Sequence, residues 1–191
     1  MRIFIGIEID DGARTAIMSA ARALRTRVER PEWHLAARWV RVENLHITLW
    51  FIGDVHETRA AAVLTAVAPA FDVPAFTVEL NGVGVFPPSG APRVFWMGVQ
   101  TGLESLSALH AETALRLVPL GFEPERRAYS AHLTLARITS VSREGYAQLR
   151  RVVRETHTTR IRTAVTAVTV FESRVSSKGA AYAPRLRVPL K

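Results

Sequence analysis

Asn44-Leu45-His46-Ile47-Thr48-Leu49-Trp50 returns in shortened form as Ala131-His132-Leu133-Thr134-Leu135-Ala136. Each run sets a His and a Thr two residues apart among apolar neighbours, the composition of a buried strand. Side chains alternate faces along a strand, so His and Thr share one face and Ile47, Leu49, Leu133 and Leu135 take the other. An imidazole that titrates near neutrality then stands roughly 6–7 Å from a hydroxyl. Two such units across one cleft supply two proton-transfer groups and two hydroxyl donors.

The bare spacing discriminates poorly. His56-Glu57-Thr58 and His157-Thr158-Thr159 carry it too, but among polar neighbours such as Asp54, Arg59, Glu155 and Arg160. What separates His46 and His132 is the shared apolar frame, His-apolar-Thr-Leu. A lone His on an apolar strand is more often a hydrogen-bonded core residue; it is the pair that makes a site.

Around these runs, 191 residues with 48% apolar content describe a globular chain with room for one ample domain or two lobes. No apolar stretch is long enough to span a membrane. The opening Met1-Arg2-Ile3-Phe4-Ile5-Gly6-Ile7-Glu8 reads as a first strand, not a leader peptide, which favours a cytoplasmic protein. The absence of cysteine excludes disulfides, thiol catalysis and thiolate metal sites. Net charge is +8, and only Lys178 and Lys191 among the 25 basic residues are lysines. Arginine suits bidentate phosphate recognition, so a polyanion such as RNA fits this surface better than a cation.

Periodicity predicts strands at Arg2–Ile9, Trp39–Val42, Leu45–Ile52, Phe76–Val85, Val94–Gln100, Ser130–Ile138, Ala164–Arg174 and Tyr182–Pro189. Helices are expected near Asp11–Val28 (capped by Asp10 or Asp11), Glu57–Ala70, Leu103–Leu117 and from a Ser142 cap to Glu155. A polar linker over residues 123–127 leads to the second motif, and a turn over residues 176–179 joins the last two strands. Several strands follow one another directly, which favours α+β with antiparallel sheets. The two histidines stand 86 residues apart, near half the chain, as duplicated lobes with the motif strands at the centre would require. Leu103, Leu106, Leu109 and Leu117 read as core, and His34, His56, His110 and His157 as surface residues.

Over nearly its full length the chain resembles the 2H phosphoesterases, and within them the RNA 2′,3′-cyclic phosphodiesterases, also called 2′-5′ RNA ligases. Besides the two motifs, the resemblance rests on Arg2-Ile3-Phe4-Ile5-Gly6-Ile7-Glu8-Ile9, Trp39-Val40, Glu43-Asn44, Phe51-Ile52-Gly53, Gly84-Val85-Phe86-Pro87, Pro92-Arg93-Val94-Phe95-Trp96, Arg137 and Phe171-Glu172-Ser173. Ala131 stands where the family commonly has Pro, and Trp50 where it has a basic residue. The resemblance implies one bilobal domain over residues 1–191, with two antiparallel sheets and flanking helices around a central cleft. It implies hydrolysis of RNA 2′,3′-cyclic phosphodiester ends to 2′-phosphates, with reverse 2′-5′ ligation at the same site. The implied partner is RNA with cyclic ends, tRNA fragments among them, and the expected protein is a monomer needing no cofactor or metal.

That chemistry needs a base for water and an acid for the departing ribose oxygen, on opposite sides of phosphorus. His46 and His132 suit both tasks. The resemblance leans toward His46 as acid and His132 as base. Thr48 and Thr134 supply donors to the non-bridging oxygens. The resemblance gives Arg137 a phosphate-binding role, although it falls on the opposite face from His132 unless the strand bulges first. On a regular strand Trp50 shares the face of His46 and offers a platform for a base, with Tyr129 and Phe86 as weaker candidates. The rival readings are a 2H phosphoesterase for another cyclic or 2′-5′ nucleotide, and a binding module that keeps the cleft only for recognition.

Overall fold

The computed structural model describes residues 1–124, 127–176 and 179–191. Glu125 and Arg126 of the expected linker, and Ser177 and Lys178 of the expected turn, lie outside the described residues. Among the described residues the chain forms nine strands: β1 Arg2–Glu8, β2 Ala36–Trp39, β3 His46–Asp54, β4 Phe76–Phe86, β5 Val94–Thr101, β6 His132–Ser140, β7 Ile161–Val165, β8 Ala167–Ser176 and β9 Gly179–Pro189. Four helices accompany them: α1 Asp11–Val28, α2 Glu57–Val67, α3 Leu103–Leu117 and α4 Gly145–Arg154.

Local chemistry accounts for most boundaries. The Asp10 carboxylate accepts from the Ala13 amide at 2.9 Å and starts α1. That bond, with others from Thr163, Ala164 and Gly12, holds the Asp10 pKa below the usual carboxylate value against the opposing effect of burial. Ala13, Ile17, Ala21, Leu24 and Val28 form its buried stripe. His56 caps α2 through its ring nitrogen, which explains one of the stray His-x-Thr spacings as a helix start. Three expectations shift. The short strand before the first motif ends at Trp39, because Val42–Asn44 turns as a 3-10 helix. The expected strand from Ala164 is two strands, which break at Thr166. Leu103, expected in the core, is 44% exposed because it opens α3 before the helix reaches its packed face.

All strand pairs are antiparallel, in the order β7-β4-β5-β6-β3-β1-β8-β9, with β2 also on β6. The two expected sheets are therefore hydrogen-bonded into one, through the single registered pair Ile47↔Leu133 between β3 and β6. Neither lobe is a half of the sequence. One gathers β3, β1, β8 and β9, backed by α2 and α3; the other gathers β7, β4, β5, β6 and β2, backed by α1 and α4. Each lobe thus borrows strands across the midpoint of the chain, and the motif strands meet at the seam. The apolar faces of both lobes share one core, in which Ile47 and Leu133 are fully buried.

Candidate active site

His46 and His132 are the first residues of β3 and β6. Their strands cross antiparallel at the neighbouring pair Ile47↔Leu133, so both rings reach the same cleft from opposite lobes. Each ring is tied in the same way. Nδ1 of His46 donates to the Asn44 carbonyl and Nδ1 of His132 to the Ser130 carbonyl, both at 2.7 Å. A carbonyl only accepts, so Nδ1 carries the proton in each ring and Nε2 is left for chemistry.

The surroundings of the two rings differ. Phe4, Tyr182 and Phe171 wall His46, with ring centroids at 4.7, 5.2 and 6.1 Å. Gly6 makes the close packing possible: a Cβ there would come within 2.7 Å of the Ile47 carbonyl oxygen. Burial pushes the His46 pKa down to about 4; the Asn44 bond opposes this, and the positive charges of Arg137 and His132 add to it. His46 is therefore neutral near pH 7 in the free protein, and the Thr48 hydroxyl sits 3.0 Å from its Nε2 as a donor. Among the described residues His132 meets one aromatic ring, that of Phe86, in a T-shaped arrangement at 5.1 Å.

Both motif strands carry a bulge at the same place. Trp50 pairs with Ile5 and Thr48 with Gly6, leaving Leu49 extra; Ala136 pairs with Phe95 and Thr134 with Trp96, leaving Leu135 extra. One extra residue flips the faces beyond it. Trp50 is therefore not on the face of His46, as regular alternation predicts. It is 5% exposed in the core, while Phe51 faces out at 47%. In the second strand the same flip carries Arg137 onto the face of His132 and Thr134, and Ala136 into the core. A bulge cannot be read from hydrophobicity when both Leu and its neighbour are apolar, as in Leu49-Trp50 and Leu135-Ala136.

Other residues around the site gave little signal in the sequence. His110 is half-buried rather than a surface residue, stacked between Trp50 at 5.4 Å and Tyr129 at 4.3 Å. Its signal was the helical spacing Leu106, His110, Thr113, Leu117. The Tyr129 hydroxyl donates to the Thr48 carbonyl at 3.1 Å, so the segment that feeds His132 is tied across the seam to the first motif. Burial raises the Tyr129 pKa, keeping the phenol protonated as that donor. Asn44, 6% exposed, donates through its amide to the Ala180 carbonyl at 2.7 Å and accepts from the Tyr182 amide at 3.3 Å, which docks β9 beside His46. Thr48, Trp50, Phe51, Phe86, Tyr129 and His132 border a cavity of about 300 Å³, so the largely buried Trp50 still forms part of its wall.

An α+β cleft with one His-x-Thr strand from each lobe is the architecture of a two-histidine phosphoesterase. The chain belongs to the LigT-like phosphoesterase family, whose profile matches residues 13–96 and 98–182. It is 33% identical over 138 residues to an RNA 2′,3′-cyclic phosphodiesterase of Archaeoglobus fulgidus, covering 72% of this chain and 73% of that one. A protein of the same name from Aeropyrum pernix is 42% identical over 99 residues, 52% of this chain and just over half, 56%, of its own length. The crystal structure of E. coli LigT with 3′-AMP superposes with a TM-score of 0.72 at 25% identity, covering 99% of this chain and 97% of that one.

Proposed function

We infer that this protein hydrolyses RNA 2′,3′-cyclic phosphodiester ends to 2′-phosphomonoesters by acid–base catalysis between His46 and His132. The observation that carries this reading is the matched pair: two imidazoles, each with Nδ1 tied to a carbonyl, present Nε2 to one cleft from opposite lobes. The family and the printed activity of its relatives support the cyclic phosphodiester as substrate.

In the reaction a water oxygen bonds to phosphorus as the bond to the 3′ oxygen breaks. One neutral imidazole takes the water proton, and one imidazolium returns a proton to the 3′ oxygen. Thr48, Thr134 and Arg137 face the same cleft and stabilise the charge that builds on the non-bridging oxygens. His46 is the acid and His132 the base. Because His46 is neutral in the free cleft, the acid role requires that it gain a proton as substrate binds. The phosphate's negative charge drives that change: an anion beside the buried ring favours its imidazolium form and offsets the charge of Arg137. With a 5′-hydroxyl in place of water as the attacking group, the same displacement of the 3′ oxygen forms a 2′-5′ linkage. The two lobes act as one unit over residues 1–191, as a cytoplasmic monomer acting on RNA ends such as those of cleaved tRNA. No helix among the described residues is long and apolar enough to cross a membrane.

The test is incubation of a cyclic-ended oligoribonucleotide with the protein in EDTA, with the product end mapped. A 2′-phosphate formed at an undiminished rate is expected. A terminus recovered intact after prolonged incubation with fresh protein would favour a binding module, and activity restored only by a divalent ion would call for a different mechanism.

A further inference from the structure

The bulge at Leu135 has a second consequence one strand further out. Arg137 on β6 is in direct register with Arg38 on β2, so the two side chains rise from the same face of the sheet. Directly opposite residues hold their Cβ atoms about 4.5–5.5 Å apart, and like charges so placed destabilise the pair. Both residues are exposed, and neither side chain has a hydrogen bond or ion pair among the described residues. Several other surface arginines are matched: Arg174 and Arg185 share Glu172, Arg160 and Arg162 share Glu79, and Arg187 meets Glu8. Arg22, Arg93, Arg127, Arg143 and Arg154 are exposed as well, but what sets Arg38 and Arg137 apart is that they stand in register beside the cleft.

The position of the pair is not accidental to the cleft. Trp39, next to Arg38 on the opposite face, stacks on buried Phe95 at 5.7 Å and bonds Glu29 through Nε1 at 3.0 Å. β2 is therefore anchored on its core side, and Arg38 is held out on the other. Arg137 lies close enough to His46 for its charge to be felt at that ring. Two unpaired guanidiniums then run outward from the reacting centre, one strand apart.

We propose that Arg38 and Arg137 form a subsite for the phosphodiester adjacent to the reacting one, with Arg137 at the reacting phosphate and Arg38 on its neighbour in the RNA chain. This rests on the phosphodiesterase reading above. An anion between the two guanidiniums removes their repulsion and accepts their N–H groups in the bidentate geometry arginine favours. The competing explanation is that Arg38 only guards the open edge of β2 against pairing with another chain.

The experiment compares a 2′,3′-cyclic mononucleotide, which lacks a second phosphate, with a cyclic-ended dinucleotide, which has one. In Arg38→Gln the ratio of kcat/KM for dinucleotide over mononucleotide is expected to fall about tenfold, through KM, the scale of one lost charged hydrogen-bonding contact. The dependence of log affinity for a longer oligoribonucleotide on log salt should lose about one unit of slope. Arg38→Lys should restore part of the ratio. Arg137→Gln should weaken both substrates, and thermal unfolding of Arg38→Gln at low salt should be no lower than that of the parent. An unchanged ratio in Arg38→Gln overturns the subsite, whether both substrates are unaffected or equally impaired. Failure of the parent protein to turn over either substrate counts against the phosphodiesterase reading instead. In that case equilibrium binding of the oligoribonucleotide to parent and Arg38→Gln still decides the subsite: equal affinity overturns it, and loss at Arg38 supports it.

Discussion

The two His-x-Thr strands are near copies in sequence and are not copies in environment. They share the Nδ1 tie to a carbonyl two residues back and a bulge at the Leu that follows Thr. They differ in what packs around them. Three aromatic rings enclose His46 and hold it neutral, while His132 meets one among the described residues. They differ also beyond the bulge, where one strand exposes Phe51 and the other Arg137. Identical local geometry prepares the same nitrogen for proton transfer on both sides. The neighbours, supplied by distant strands, set the charge each ring carries.

The largest effect should come from breaking the pair. His46→Ala or His132→Ala should cost about 10²–10⁴ in kcat with the fold retained by circular dichroism, whereas His56→Ala should leave the rate within about twofold. The acid role at His46 makes its contribution depend on the leaving group. With an aryl phosphodiester whose leaving group needs no proton, the loss in His46→Ala should shrink by at least about tenfold while that in His132→Ala persists. The reverse pattern would exchange the two roles.

The threonines come next. Thr48→Val and Thr134→Val keep shape and remove the hydroxyl, so each should lower kcat by about 10- to 100-fold with little change in KM. An effect on KM alone would make the hydroxyl a ground-state contact. Thr48→Val should do more than its counterpart to the titration of His46, because its hydroxyl sits 3.0 Å from that ring.

The pH dependence separates the two rings directly. His46 titrates at about 4 in the folded protein, below the ~6.5 of an unfolded chain, so the unfolded state binds the extra proton between these values. The sign follows: stability contributed by neutral His46 is full above about pH 6.5 and is lost as pH falls toward 4. Replacing His46 by Gln should flatten that part of the stability curve. In NMR the His46 resonance should move upward in pKa when a nucleoside 2′-phosphate binds, and an unmoved His46 would count against its service as the acid.

The smallest kinetic effect is expected at Trp50. Trp50→Phe should lower thermal stability by roughly 1–3 kcal/mol through lost core packing and leave KM for RNA nearly unchanged. A tenfold rise in KM without loss of stability would return Trp50 to a role in stacking a base.

Much of this was legible in the chain itself. Apolar alternation located the strands of both motifs, Asp10 marked the start of α1, and the repeated His-apolar-Thr-Leu singled out the two histidines and two threonines on which the proposed chemistry rests. Those signals are local: a cap, a strand face and an i to i+2 spacing depend on residues a few positions apart. Three features were settled only when distant segments met. The bulges at Leu49 and Leu135 depend on how β1 and β5 pair alongside, and they sent Trp50 inward and Arg137 outward against simple alternation. The lobes exchange strands across the chain midpoint because a strand pairs wherever its apolar face finds a core, not by order in sequence. The charge on His46 follows from Phe4, Phe171 and Tyr182, three residues from three different strands, since desolvation is a property of everything that surrounds a group and none of it is written in the motif.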